Sequence, residues 1–186
     1  MYCLRGHSSC ITDFNISPDN TLLISGSIDN TLRLWDLQRG RPIKVISCPS
    51  QIVTVEFQPK YDDTGSTLIL STCLNGFAYL WRLNLKTHEH EEIRKFSCKQ
   101  TRQAQIRNAC FSEGGTRFIV CGTDGIVRIF SVNNLDYVLA FDDHVGAIPS
   151  IHCSSTEFKF ATGSRDGSSR IWKFHNGWKS TKCNFS

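Results

Sequence analysis

The sequence has no apolar run near the roughly 18 to 20 residues that a membrane-spanning helix needs, which excludes such a helix within these 186 residues. Its opening, Met1-Tyr2-Cys3-Leu4-Arg5, lacks the hydrophobic core of a secretion signal. No Cys-x-x-Cys occurs, and the nine cysteines are odd in number and widely spaced. They are expected to be reduced thiols in the cytosol or nucleus. Neither G-x-x-x-x-G-K nor G-x-G-x-x-G is present, so no phosphate-cradling loop is expected. No helical apolar period persists over a useful length. Disorder is excluded as well, because Ile, Leu, Val and Phe number 50 of 186 residues, above the roughly 20% level at which disorder sets in.

What is present is uneven charge. The net charge is +4. Between Arg82 and Arg107 stand seven Lys or Arg and three Glu, so this stretch carries the whole excess. Its expected form is a solvated loop, with an acidic partner or nucleic acid as the functional alternatives. Cys73, Cys110, Cys121 and Cys153 lie in apolar stretches, where cysteine behaves as a small buried hydrophobe.

One pattern recurs four times: Ser25–Trp35, Ser71–Trp81, Val120–Phe130 and Thr162–Trp172. In each, Asp or Asn precedes the aromatic by six, and the aromatics are 46, 49 and 42 residues apart. Such self-similarity sets the architecture before any local detail. Asp29-Asn30, Asn75-Gly76, Asp124-Gly125 and Asp166-Gly167 tolerate positive φ between two β-rich runs, the signal of a hairpin. A strand is expected before each hairpin, at Ile11–Ile16, Ile52–Phe57, Ile106–Phe111 and Ile148–Cys153. Another follows each, at Pro42–Ile46, Glu92–Phe96, Tyr137–Phe141 and Gly177–Cys183. The expected fold class is all-β: four four-stranded blades, at about 4–47, 48–97, 98–142 and 143–186.

These residues resemble the WD40 repeat family, whose blades form β-propellers. Gly6-His7 and Trp35-Asp36 match its signature dipeptides, and His7 to Asp29 spans 22 residues, as does His144 to Asp166. The resemblance implies a hydrogen-bonded chain inside a blade. Here its members would be His7, Ser25, Asp29 and Trp35, and again His144, Thr162, Asp166 and Trp172. Repeat 2 keeps Ser71 and Trp81, has Asn75 for Asp and lacks the His. Repeat 3 keeps only Asp124, with Val120 and Phe130 in the other places. Repeats 2 and 3 are therefore expected to rest on apolar packing and to be softer. About seven or eight blades are usual for the family, so four read as a partial propeller whose missing blades lie in flanking sequence.

The order of the variations is similar to the second through fifth repeats of the bromodomain and WD-repeat proteins. It includes the enlarged Gln58–Ser66 loop, the basic stretch, Phe130 for Trp and Trp178 after repeat 4. That resemblance implies a nuclear, chromatin-associated transcription regulator, with membership of a cullin-4 ubiquitin ligase or a cytoplasmic signalling scaffold as alternatives. The ligase receptors' Trp-Asp-x-Arg is absent: repeat 1 reads Trp35-Asp36-Leu37-Gln38-Arg39, with the Arg one place late.

Ser25, His7 and Asp29 are the residue types of a hydrolytic triad, but the same spacing recurs in repeat 4, where a single active site would not recur. His88-Glu89-His90 has a metal-like spacing without a third ligand nearby. No catalytic residue, cofactor or metal is expected. The expected role is protein binding, with Arg94, Lys95, Lys99, Arg102 and Arg165 as candidate contacts to an acidic partner. Nucleic-acid binding through the basic stretch is the lesser possibility.

Overall fold

The computed structural model describes residues 3–61, 65–98, 104–154 and 159–173. These residues form short antiparallel strands joined by tight turns. The first sheet orders β1 (Ile11–Ile16), β2 (Leu22–Ser27), β3 (Thr31–Asp36) and β4 (Arg41–Ser47) side by side. The second orders β5 (Ile52–Phe57), β6 (Ser66–Cys73), β7 (Phe77–Asn84) and β8 (His90–Ser97) in the same way. The third contains β9 (Ile106–Phe111), β10 (Arg117–Gly122), β11 (Val127–Ser131) and β12 (Tyr137–Phe141). In the fourth, β13 (Ser150–Cys153), β14 (Lys159–Gly163) and β15 (Ser169–Lys173) are described. The strand expected at Gly177–Cys183, and Trp178, lie outside the described residues.

Turn chemistry explains why each repeat folds back on itself. The residue after each Asp or Asn has positive φ: 65° at Asn30, 84° at Gly76, 74° at Gly125 and 81° at Gly167. Cys73 and Gly76 close such a turn by a 2.9 Å backbone hydrogen bond, and Ser164 and Gly167 by one of 3.2 Å. A tight turn followed by a left-handed residue is a common hairpin connection, and Gly or Asn fills it at least cost.

Two expectations need correction. The basic stretch is not one solvated loop, although the strand expected within it at Glu92–Phe96 is present as part of β8. Residues 82–84 complete β7, and β8 takes up His90–Ser97. Along HEEIRKFS only Phe96 is buried against the blade, while Glu91, Glu92, Arg94 and Lys95 face water. The first strand of repeat 4 starts at Ser150 rather than Ile148. Ile148 is pulled elsewhere: its N–H bonds the Gly122 carbonyl at 2.9 Å, and its side chain is fully buried.

The chain divides into two compact units, Met1–Ser97 and Cys98–Ser186. The core of the first collects Ile24, Leu32, Leu34, Ile52, Phe57, Ile69 and Leu83. β1 is stitched to β5 there, since the Asp13 and Asn15 side chains accept the backbone N–H groups of Val55 and Phe57 at 2.9 and 3.0 Å. The opposite side of β1 turns Ile11, Phe14 and Ile16 to solvent. The core of the second unit gathers Ile119, Ile129, Ile148, Ile151, Phe160 and Trp172.

Candidate functional site

Within the first blade, the His7 ring joins the β2–β3 turn to strand β2. Its Nδ1 lies 2.8 Å from Asp29 Oδ2 and its Nε2 lies 2.7 Å from Ser25 Oγ. Trp35 Nε1 donates to the same hydroxyl at 2.9 Å. With Nδ1–H donating to the carboxylate, a neutral ring leaves Nε2 to accept the Ser25 proton. Asp29 also accepts the Ser8 N–H at 3.0 Å, the Thr31 N–H at 2.9 Å and the Thr31 hydroxyl at 2.6 Å.

The fourth blade repeats this chain. His144 Nδ1 lies 2.7 Å from Asp166 Oδ2, and Nε2 lies 2.8 Å from Thr162 Oγ1. Trp172 Nε1 donates to Thr162 Oγ1 at 2.9 Å. Asp166 accepts the Val145 and Ser168 N–H groups at 3.1 and 2.8 Å and the Ser168 hydroxyl at 2.6 Å. The Ser25 hydroxyl is buried and fully engaged by the ring and the indole. It is a buried structural hydroxyl rather than an exposed nucleophile.

The other two blades solve the same problem differently. In blade 2 the Trp81-to-Ser71 bond survives at 2.9 Å, while Asn75 donates to the Tyr79 hydroxyl at 3.0 Å. Tyr79 stacks on Trp81 at 6.1 Å, and seven of the eight residues of β6 are buried. In blade 3, Phe130 stacks on Phe118 at 4.9 Å, and Asp124 accepts from Arg128 at 2.6 Å. Sequence reasoning missed Arg128. Its signal was available, because Arg33, Arg128 and Arg170 each stand two residues before the repeat aromatic. Four residues after Asp124, it supplies the donor that a histidine supplies in blades 1 and 4.

The carboxylates carry the electrostatic signature of this arrangement. Burial alone would raise the Asp29 carboxyl, but hydrogen bonds from Thr31, His7 and Ser8 outweigh it and hold the group well below the ordinary carboxylate range. Asp166 is held down likewise, by the Ser168 hydroxyl first, against partial desolvation and with help from His144. A carboxyl whose folded pKa is depressed contributes stability above its unfolded value of about 3.9, and that contribution fades as pH falls through the folded value. Stability should therefore hold on acidification to about pH 5 and fall steadily below it. Urea midpoints between pH 3 and 7 would measure this, and Asp29→Asn should flatten the slope.

Replacing His7 with alanine should lower stability by about 1 to 3 kcal/mol, since Ser25 and Asp29 lose a buried partner. Thermal or urea unfolding would read it, and an unchanged midpoint would contradict the structural role.

The candidate contact residues fall in separate places. Arg94 and Lys95 are exposed on β8, the edge strand of the second sheet. The Arg94 guanidinium lies 5.9 Å from the Phe96 ring centre, and Lys95 Nζ lies 5.3 Å from that of Phe77. Lys99 and Arg102 lie outside the described residues. Arg165 is exposed in the β14–β15 turn, its backbone N–H fixed to the Ala147 carbonyl at 2.8 Å. His88 and His90 do not form a metal pair. His88 sits in the β7–β8 turn with φ 57°, while the His90 ring packs near Trp81 at 6.3 Å. Burial, then the charge of Lys44, holds the His90 imidazole below its ordinary pKa. Among the described residues no group of three or more His, Cys, Asp or Glu could hold a metal.

Each unit presents two turn ends. The polar chains brace one end, where Leu74 and Val145 are exposed at 40% and 94% beside the hairpin turns. At the other end of the first unit a groove of about 500 Å³ opens, lined in part by Asp19, Thr21, Asp36, Arg39, Arg41 and His88. Arg39 there folds back onto Asp36 at 3.0 Å.

Four antiparallel sheets of this order, each turn braced from inside, define a repeat protein of the β-propeller class. The WD domain, G-beta repeat, matches residues 1–36, 91–131 and 135–173, and the chain belongs to the WD40 repeat family. The match passes over most of repeat 2, where the His and Asp are missing. Eukaryotic translation initiation factor 3 subunit I of Aspergillus oryzae is 27% identical, with 92% of this chain and 52% of that protein covered. The Xenopus tropicalis subunit I is 25% identical over 90% of this chain and 51% of that protein. The WD repeat-containing protein 91 homolog of Dictyostelium discoideum is 26% identical over 98% of this chain and 23% of that protein. A solved structure titled "Crystal structure of RRP9 WD40 repeats" superposes with a TM-score of 0.77 at 20% identity, covering 92% of this chain and 50% of that one. The chain thus spans about half the length of the initiation-factor relatives it matches. None of these relatives is a bromodomain protein by name, so the bromodomain and WD-repeat resemblance narrows to the WD40 family.

Proposed function

We propose that the chain is a non-catalytic scaffold that binds other proteins through the braced turn end of its blades. One observation carries this reading. The residues that could do chemistry, Ser25, His7 and Asp29, are spent on holding the blade together, while Val145 and Arg165 give the turn only their backbone N–H groups and display their side chains outward. Rigid strands with side chains displayed at their turns suit recognition rather than catalysis. Val145 and Arg165 of the second unit are an apolar and a cationic anchor next to Asp166. Arg is enriched among the residues that dominate interfaces, and an exposed Val beside it adds apolar area for a partner to cover.

The setting supported by the named relatives is a translation-initiation assembly, since two of them are subunits of such a factor. A chromatin or ubiquitin-ligase setting rests on the order of repeat variations alone. Cross-linked capture of the full chain from cell extract separates these readings: initiation-factor subunits support the first, and recovery of histone or ligase components alone overturns it. Val145→Glu with Arg165→Glu should cut partner recovery at least about tenfold, the loss expected when interface anchors go. The thermal midpoint should stay unchanged, because both side chains are exposed. Undiminished recovery would move the interface elsewhere, with Arg94→Glu and Lys95→Glu as the next pair to test.

A further inference from the structure

We propose that Cys110 and Cys153 form an oxidisable dithiol, which a peroxide converts into a disulfide tying β9 to β13 within the second unit. Their Sγ atoms lie 2.9 Å apart although the residues are 43 positions apart in sequence. That is an approach well inside ordinary sulfur contact, against a bond length of about 2.0 Å. Neither residue is in a disulfide, and both pack in one apolar cluster. Strand order explains the meeting. β9 and β13 are the first strands of their sheets and lie close to each other, which brings Cys110 and Cys153 together.

Access distinguishes the two thiols. Cys110 is buried, whereas Cys153 is partly exposed. The other apolar thiols are poor competitors. Burial pushes Cys48, Cys73 and Cys121 up to about 12, so they stay protonated. Cys121 is moreover turned to the Asn108 carbonyl, 3.6 Å away. The chemistry balances with hydrogen peroxide as the oxidant. The Cys153 thiolate attacks the O–O bond, giving a sulfenic acid and releasing hydroxide, which takes up the thiol proton to leave water. Cys110 sulfur then displaces the sulfenic hydroxyl, the S–S bond forms and a second water leaves with the Cys110 proton. Net, two thiols and one peroxide give one disulfide and two waters. The cross-link would close a 43-residue span and restrict the unfolded chain.

The test uses the full chain, reduced and then exposed to hydrogen peroxide, alkylated and digested without reductant. The expected result is one linked peptide pair, Cys110 with Cys153, lighter by two hydrogens than its parts. The thermal midpoint should rise by about 5 to 15 °C and return on adding dithiothreitol. Cys153→Ser should show neither the link nor the rise. Separately alkylated Cys110 and Cys153, a disulfide from either to another cysteine, or a link that leaves the midpoint unmoved overturns the proposal. Should Cys153→Ser fail to fold, the peptide map of the unaltered protein decides alone.

Discussion

Trp35→Ala should cost about 3 to 5 kcal/mol, the range for emptying a buried tryptophan site. Trp35 is 2% exposed, and its indole closes the first blade's polar chain on Ser25 at 2.9 Å. Two effects are merged in that number, and a second variant parts them. Trp35→Phe keeps most of the ring but removes the N–H. Ser25 still has His7, so the loss should be about 1 kcal/mol. Urea unfolding followed by circular dichroism would give both values. If Phe proves as costly as Ala, the hydrogen bond rather than the packing dominates, and the account of this blade would have to be reversed.

Blade 3 should fail just as badly for a different reason. Phe118 is fully buried, stacked on Phe130 at 4.9 Å and met edge-on by Phe111 at 6.5 Å. Phe118→Ala should cost about 3 to 5 kcal/mol. A cost under about 1 kcal/mol would mean that the neighbouring rings collapse into the space, because the penalty for a cavity depends on how far the site relaxes. Equal losses in the two variants would mean that a polar chain and an aromatic stack hold their blades about equally, whereas a smaller loss for Phe118→Ala would fit the softer third blade expected from its missing polar chain.

Much of the blade architecture was legible in the sequence because its causes are local. A left-handed residue after Asp or Asn needs only its own turn, so Asn75-Gly76 and Asp166-Gly167 announce hairpins unaided. The equal spacing of His7 to Asp29 and of His144 to Asp166 likewise makes a blade interior readable, since both residues must meet across the same fixed number of strand positions. The basic stretch was legible in part: the strand expected at Glu92–Phe96 is present within β8, while its full extent was not, because HEEIRKFS offers only Phe96 as a buried apolar position. Arg128 was missed although its place two residues before Phe130 was visible, because its pairing with Asp124 shows only once the two side chains meet.

The sequence by itself determined the repeat, the turns and the residues that brace them, because each is set by periodicity and backbone preference over a few dozen residues. Tertiary structure alone decided which side chains face one another across separate strands. Asp13 reaching Val55, Ile148 crossing to Gly122 and Cys110 meeting Cys153 all join positions at least 26 residues apart. No local preference encodes such meetings; they follow from the packing of one sheet on the next, which fixes the partners only once the chain is folded.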